Sequence, residues 1–116
     1  MFEKNLTIEI LLDFYGDVLE ERPRKILAAY YGEDLSLSEI AAEVGISRQG
    51  VRHILKKGEE QLFFMEERLG LARRYRETVE AAERLSSLAA PFLADEDGRV
   101  RALAEEATAL SALLGK

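Results

Sequence analysis

The chain of 116 residues has no cysteine and no tryptophan, two prolines and a single histidine, His53. Without cysteine there is no disulfide, no thiol nucleophile and no cysteine-ligated zinc site. Because His53 has no second histidine to complete a ligand set, neither a metal nor another cofactor is expected. No run of eighteen apolar residues is present, so we expect no membrane span and a cytoplasmic protein.

The sequence also lacks a recognisable catalytic constellation. It has no Ser/His/Asp pattern, no glycine-rich phosphate loop and no paired carboxylates in an apolar setting. The adjacent acids Glu59-Glu60 and Glu66-Glu67 are expected to be solvated on an exposed helix. We therefore do not expect an enzyme.

Charge is distributed unevenly along the chain, whose net charge is −6. Residues 1–44 carry ten acids and four bases, and residues 59–116 carry twelve acids and eight bases. Residues 45–58 carry four bases and no acid. A basic segment in an acidic chain is typical of a localised surface for an anionic partner such as nucleic acid.

Apolar periodicity predicts six helices and no strand. The first helix is expected over Thr7–Leu19, with Tyr15, Val18 and Leu19 on its buried stripe. The second is expected to begin with Pro23 as its first helical residue and to stop at Gly32. The other helices are expected over 37–44, from Arg48 to about Leu69, from Leu71 to Pro91 and over 100–114, with a polar turn at 94–98.

The most specific motif is SLSEIAAEVGISRQGVRHILKKG, residues 36–58. Ser36 and Glu39 have the spacing of a capping box for the third helix. Gly45 suits the left-handed corner that ends this helix, and Ser47 is placed to cap the fourth helix. Two capped helices joined by a tight glycine corner predict a helix-turn-helix unit.

The side chains that this pattern leaves facing outward suit a phosphate-lined groove. The basic ones can contact phosphates or guanine edges, or they can form a solvated basic face. Gln49 can pair with adenine or face water, and Ser47 can add a phosphate contact to its cap. The predicted nucleic-acid-binding residues are Ser47, Arg48, Gln49, Arg52, His53, Lys56 and Lys57.

Four consecutive apolar residues, Leu62, Phe63, Phe64 and Met65, cover most of the circumference of a helix, so one face cannot bury them all. Either the C-terminal helices fold back over them or a second subunit packs there, and we expect both. The sequence thus predicts a homodimer with two domains: a helix-turn-helix domain over 1–58 and a C-terminal helical dimerisation region over 59–116. Gly58 is a candidate kink or break in the fourth helix.

Two other clusters have alternative interpretations. Arg73, Arg74 and Arg76 are expected to form a charged helix face balanced by nearby glutamates, and the alternative is contact with an RNA or DNA backbone. The aromatic residues at helical spacing are predicted to be core residues rather than stacking platforms for bases: Phe14, Tyr15, Tyr30 and Tyr31.

The segment Leu11–Leu62 resembles the YlxM family of small bacterial helix-turn-helix proteins. The Phe14-Tyr15 and Tyr30-Tyr31 pairs, SLSEIA and GISRQGV follow the family pattern. The C-terminal helices are richer in alanine and leucine than those of typical relatives.

The resemblance implies an all-α helix-turn-helix bundle similar to region 4 of sigma factors, which reads the promoter −35 element. Its long recognition helix would extend into the C-terminal dimerisation region of a homodimer. The resemblance also implies a link to the signal recognition particle. The implied function is therefore a DNA-binding regulator, or an accessory protein that binds the particle's RNA or a protein partner.

Overall fold

The computed structural model describes residues 2–115, with side chains from Thr7 onward. Within these residues there is no strand, which confirms the predicted all-α class, and no helix is long and apolar enough to cross a membrane. The predicted fourth helix is confirmed over its whole length. The helices are α1 (Phe2–Tyr15), α2 (Glu21–Leu27), α3 (Leu37–Val44), α4 (Arg48–Leu69), α5 (Leu71–Ala89) and α6 (Gly98–Leu114).

The chain forms two compact units, the first ending at Ala72 and the second beginning at Arg73. The domain boundary expected after residue 58 lies inside α4. It does not separate the units, because Gly58 and Leu62 are both buried on the α4 face that packs in the first unit.

The first unit is built around α4, which is contacted by α1, α2 and α3. The buried face of α4 repeats at intervals of three and four residues through Val51, Leu55, Gly58 and Leu62. This spacing keeps one side of a helix turned toward its neighbours. The buried core of the unit comprises Ile8, Leu11, Tyr15, Leu19, Ile26, Leu27, Ile40, Ala41, Val51, Leu55, Leu62 and Ala72.

At Gly58 the backbone of α4 lies close to the side chain of Leu27 in α2. A Cβ built on Gly58 would be 2.6 Å from Cδ1 of Leu27 and 3.3 Å from its Cγ. Leu27 is fully buried. Gly58 therefore does not break α4, which continues through it, and the missing side chain is what permits the contact with α2.

The first two helices differ in detail from the expectation. α1 ends at Tyr15, and a 3-10 turn over Gly16–Val18 follows it. This tighter turn takes Val18 off the helical stripe, so Val18 is 72% exposed, whereas Leu19 is buried in an extended conformation.

The second helix begins earlier than expected, because Glu20 is its N-cap and Pro23 is its third helical residue. A proline is tolerated there because amides of the first turn have no partner within the helix. The helix continues as one π-helical turn over Ala28–Gly32, so the predicted stop at Gly32 is confirmed.

Tyr15 connects the end of α4 to the start of α5. Its hydroxyl donates to Oε1 of Glu66 at 2.6 Å and accepts the N–H of Leu71 at 3.0 Å. The same Glu66 oxygen accepts the N–H of Ala72 at 3.1 Å. Burial and the hydrogen bond to Glu66 raise the pKa of Tyr15, so the phenol keeps its proton and remains a donor. Two first-turn amides of α5 are thus satisfied by side chains of α1 and α4.

The second unit contains most of α5, a 3-10 turn over Ala90–Phe92, and α6. α6 begins in the polar turn expected at 94–98, where the Asp97 carboxylate accepts the N–H of Arg99 at 2.9 Å as an N-cap. The hydroxyl of Tyr75 on α5 donates to the backbone carbonyl of Leu114 on α6. The buried residues of this unit are small: Ala82, Ala104 and Ala107.

We expect Gly58→Ala to destabilise the protein. Forcing a methyl group against the buried Leu27 costs about 1–3 kcal/mol, whereas alanine in place of glycine in a helix interior contributes about 1 kcal/mol in the other direction. Thermal or urea unfolding measures the difference. Gly50→Ala is the matched control in the same helix, because its Cβ would meet Ile46 and Ser47 only at 3.4 Å. A Gly58→Ala protein more stable than wild type would contradict the close packing of α2 on α4.

Candidate nucleic-acid interface

The capping box predicted for α3 is present. The hydroxyl of Ser36 accepts the N–H of Glu39 at 3.1 Å, and the N–H of Ser36 donates to the Glu39 carboxylate at 2.8 Å. Donation from the backbone and side chain of Ser36 holds the pKa of Glu39 below its ordinary value. The start of α3 is thus fixed by local interactions.

The corner between α3 and α4 has the predicted geometry. Gly45 is left-handed, with φ of +82°, and both its N–H and that of Ile46 donate to the carbonyl of Ala41, at 2.9 and 3.2 Å. Ser47 then caps α4 by accepting the N–H of Gly50 at 3.0 Å. The helix-turn-helix unit inferred from the sequence is confirmed.

Buried side chains hold the two helices of this motif together. Ile40 and Ala41 of α3 lie in the same buried cluster as Val51 and Leu55 of α4. The small Ala41 lets the helices approach closely. With this face of α4 buried, the opposite face of its first three turns is left in solvent.

The seven residues predicted to bind nucleic acid are all exposed: Ser47, Arg48, Gln49, Arg52, His53, Lys56 and Lys57. Arg48, Arg52 and Lys56 are four residues apart, so each step advances about 6 Å along the helix and about 40° around it. Among the side chains of residues 7–115, none of the four cations forms an ion pair with a carboxylate. We call the surface formed by these seven residues the basic face.

Ser38 is a neighbour of the basic face that sequence reasoning missed. Nη1 of Arg48 lies 3.5 Å from the Ser38 hydroxyl oxygen and donates to it over this long distance. The two residues are ten positions apart and meet because α3 crosses α4. No local pattern in the sequence signals such a contact.

The apolar run Leu62, Phe63, Phe64 and Met65 is divided between two environments. Leu62 is fully buried, and Met65 is half-buried against the core of the first unit. Leu62 therefore has no surface to offer a second subunit, contrary to its assignment as a dimerisation residue. Phe63 and Phe64 are 43% and 56% exposed, and the Arg68 guanidinium lies 5.1 Å from the centre of the Phe64 ring.

The aromatic residues expected in the core do pack there. Tyr15 is buried, and Phe14, Tyr30 and Tyr31 are half-buried against the core. The Tyr31 hydroxyl donates to Glu59 of α4, and burial together with this hydrogen bond raises the pKa of Tyr31. The arginines at positions 73, 74 and 76 are exposed, and both interpretations of that cluster stay open.

A capped glycine corner that joins a short helix to a long, outward-facing basic helix defines the helix-turn-helix class. Residues 2–92 match the family described as "Putative helix-turn-helix protein, YlxM / p13 like", and the chain belongs to this family. The family description names the same helix-turn-helix motif that the structure contains. The matched residues end before α6 begins.

Relatives share this region with the chain. A UPF0122 protein of Caldanaerobacter subterraneus subsp. tengcongensis is 42% identical over 80 residues, which cover 69% of this chain and 68% of the relative. A UPF0122 protein of Listeria innocua is 37% identical over 87 residues, covering 75% and 79% of the two chains. One of Acetivibrio thermocellus is 38% identical over 101 residues, covering 84% and 86%.

Substitutions at Gly45 are expected to destabilise the protein in the order Val, Ala, Asn, with Val the most harmful. A Cβ at Gly45 would meet nothing within 4 Å, so the effect comes from the left-handed backbone alone. That conformation costs an ordinary L-residue about 1–2 kcal/mol, and asparagine tolerates it best. Thermal melts measure the order. Gly50→Ala, in the first turn of α4, should instead raise the melting temperature.

If Gly45→Ala melts above wild type, the corner is not left-handed. The placement of the basic face would then lose its structural basis.

Proposed function

We propose that the protein is a DNA-binding regulator, acting in the cytoplasm, that places the first half of α4 in the major groove of duplex DNA. The observation that carries this proposal is the basic face: four exposed cations, which form no ion pair with any of the described carboxylates, on a helix whose other side is buried. The major groove is about 12 Å wide and admits one α-helix.

The position of each side chain along α4 suggests its role. In helix-turn-helix complexes the N-terminal residues of the recognition helix contact base edges. Arg48 and Arg52 are therefore assigned to guanine edges, and Gln49 to adenine. Lys56 and Lys57 lie two turns further on and are assigned to phosphates, which position the protein without reading sequence.

We further propose that the protein acts as a homodimer. A single basic face of this size reads few base pairs, and helix-turn-helix dimers extend the site to two half-sites related by the protein's two-fold axis.

The second candidate partner is the RNA of the signal recognition particle, or a protein of that pathway, as the family resemblance implies. The same cations would contact RNA phosphates. However, the major groove of an RNA helix is too deep and narrow for side chains to read. A convex helix with its cations on one side therefore favours DNA.

Arg48→Ala and Arg52→Ala should each weaken specific DNA binding by about 1–3 kcal/mol, because each removes a base contact. Lys57→Ala should weaken binding to all sequences equally. It should also reduce the slope of the logarithm of the binding constant against the logarithm of the salt concentration by about one. Fluorescence anisotropy with genomic duplex fragments and signal recognition particle RNA, each at two salt concentrations, measures both effects. Arg84→Ala, an exposed arginine of the second unit, is the control and should bind like wild type.

If an Arg48→Ala/Arg52→Ala protein binds every nucleic acid tested with unchanged affinity, the basic face is not the nucleic-acid-binding surface. Tighter binding to the RNA than to any duplex, at both salt concentrations, would favour the second candidate.

A further inference from the structure

The second unit has an unusually apolar surface for its size. α5 contributes Leu85 and Leu88, which are 46% and 73% exposed, and the turn after it contributes Phe92, which is 48% exposed. α6 contributes Leu103 and Leu110, which are 73% and 43% exposed. These five side chains line one open apolar groove of about 680 Å³ between the two helices. We call this surface the hairpin face.

The hairpin formed by α5 and α6 is amphipathic as a layer. Glu83 and Glu105 each lie two residues from a leucine of the hairpin face, Leu85 and Leu103, which places them about 160° away around their helices. Both glutamates are exposed. These two charged residues thus lie away from Leu85 and Leu103 of the hairpin face, and an apolar face of this kind is stable only when another layer covers it.

The hairpin cannot bury enough apolar surface by itself. In the described part of the second unit, only three alanines are buried, and the leucines stay at the surface. A unit of 44 residues is near the lower size at which a chain folds without additional support. Its leucines therefore require a partner surface.

We propose that the hairpin face binds the same face of a second copy, so that the two hairpins form a four-helix bundle. This inference rests on the homodimer proposed above and assigns its interface. Among the residues that line the groove only Glu106 is charged, so the face has no charge pattern that would select a different, charged partner.

The face is also complementary to itself in shape. Ala89, Ala104 and Ala107 line the groove together with Leu88 and Leu103, and both leucines are 73% exposed whereas Ala104 and Ala107 are buried. A hairpin of this shape offers both protruding side chains and the small residues that receive them. Two copies related by a two-fold axis can therefore pack the exposed leucines of each into the groove of the other.

The size of the face is sufficient. The five exposed side chains present roughly 300 Å² of apolar area, taking about 100 Å² for a fully exposed leucine or phenylalanine side chain. Two copies then bury about 600 Å² of apolar area, the apolar share of an interface of roughly 1,050 Å² in total, just above the area of about 1,000 Å² that a biological interface needs.

Sedimentation or light scattering tests the interface. We expect wild type to have twice the chain mass of 13.1 kDa, and Leu88→Glu/Leu103→Glu to have the mass of one chain. Both leucines are 73% exposed within one copy, so the charges should leave a single chain folded, as circular dichroism would verify. Phe63→Glu/Phe64→Glu is the matched control on the first unit and should remain a dimer.

The outcomes test two claims separately: that the protein is a dimer, and that the hairpin face is its interface. A wild-type monomer at micromolar concentration would overturn both. A dimer that the leucine variant leaves intact, or that the phenylalanine variant dissociates, would overturn the hairpin face and keep the homodimer. Whether the basic face contacts DNA is tested separately, by the Arg48→Ala/Arg52→Ala protein.

A second measurement does not require the glutamate variants to fold well. The chain has no cysteine, so a single introduced one can be alkylated selectively. As protein concentration rises, alkylation of Leu88→Cys and Leu103→Cys should become several times slower, whereas Glu83→Cys and Glu105→Cys should react at a constant rate. Equal, concentration-independent rates at all four positions would overturn the proposal.

Discussion

The close contact between Leu27 and the backbone of Gly58 fixes α4 against α2. Because residues of a helix follow one another by about 100°, fixing one position of α4 fixes the direction of every other side chain on it. Gly58 faces inward, and Arg48, Arg52 and Lys56 lie about 80°, 120° and 160° away from it around the helix, where all three are exposed. The orientation of the basic face is thus set by the packing of Gly58 on α2, rather than by any contact of the cations themselves.

Local signals in the sequence were sufficient to predict the helix-turn-helix unit. Ser36, Gly45 and Ser47 each act within four residues of their own position, through caps and a left-handed corner, and the structure has all three. The end of α1 was predicted less well, because the apolar stripe continues past the 3-10 turn at which the α-helix stops. Periodicity reports burial and does not report a change of helix type.

Tertiary contacts account for the features that the sequence did not reveal. Leu62 was predicted to be available for dimerisation because one helix face cannot bury four consecutive apolar residues. The sequence alone does not determine which of the four faces the core, and the structure shows that Leu62 does. The contact of Arg48 with Ser38 and the hydrogen bonds of Tyr15 depend on how distant elements cross. The division into units after Ala72 has the same cause, since α4 belongs to the first core along most of its length.

For the proposed DNA-binding function, the acidic remainder of the chain has a consequence for how a target is found. A protein that is basic over its whole surface binds any DNA in many orientations and spends most of its time bound to non-specific sites. Here the cations of 45–58 are attractive and the other segments are repulsive to phosphate, so encounters in the wrong orientation dissociate quickly. The search for a site would then proceed mainly through solution, in many brief visits, rather than by long sliding along the duplex.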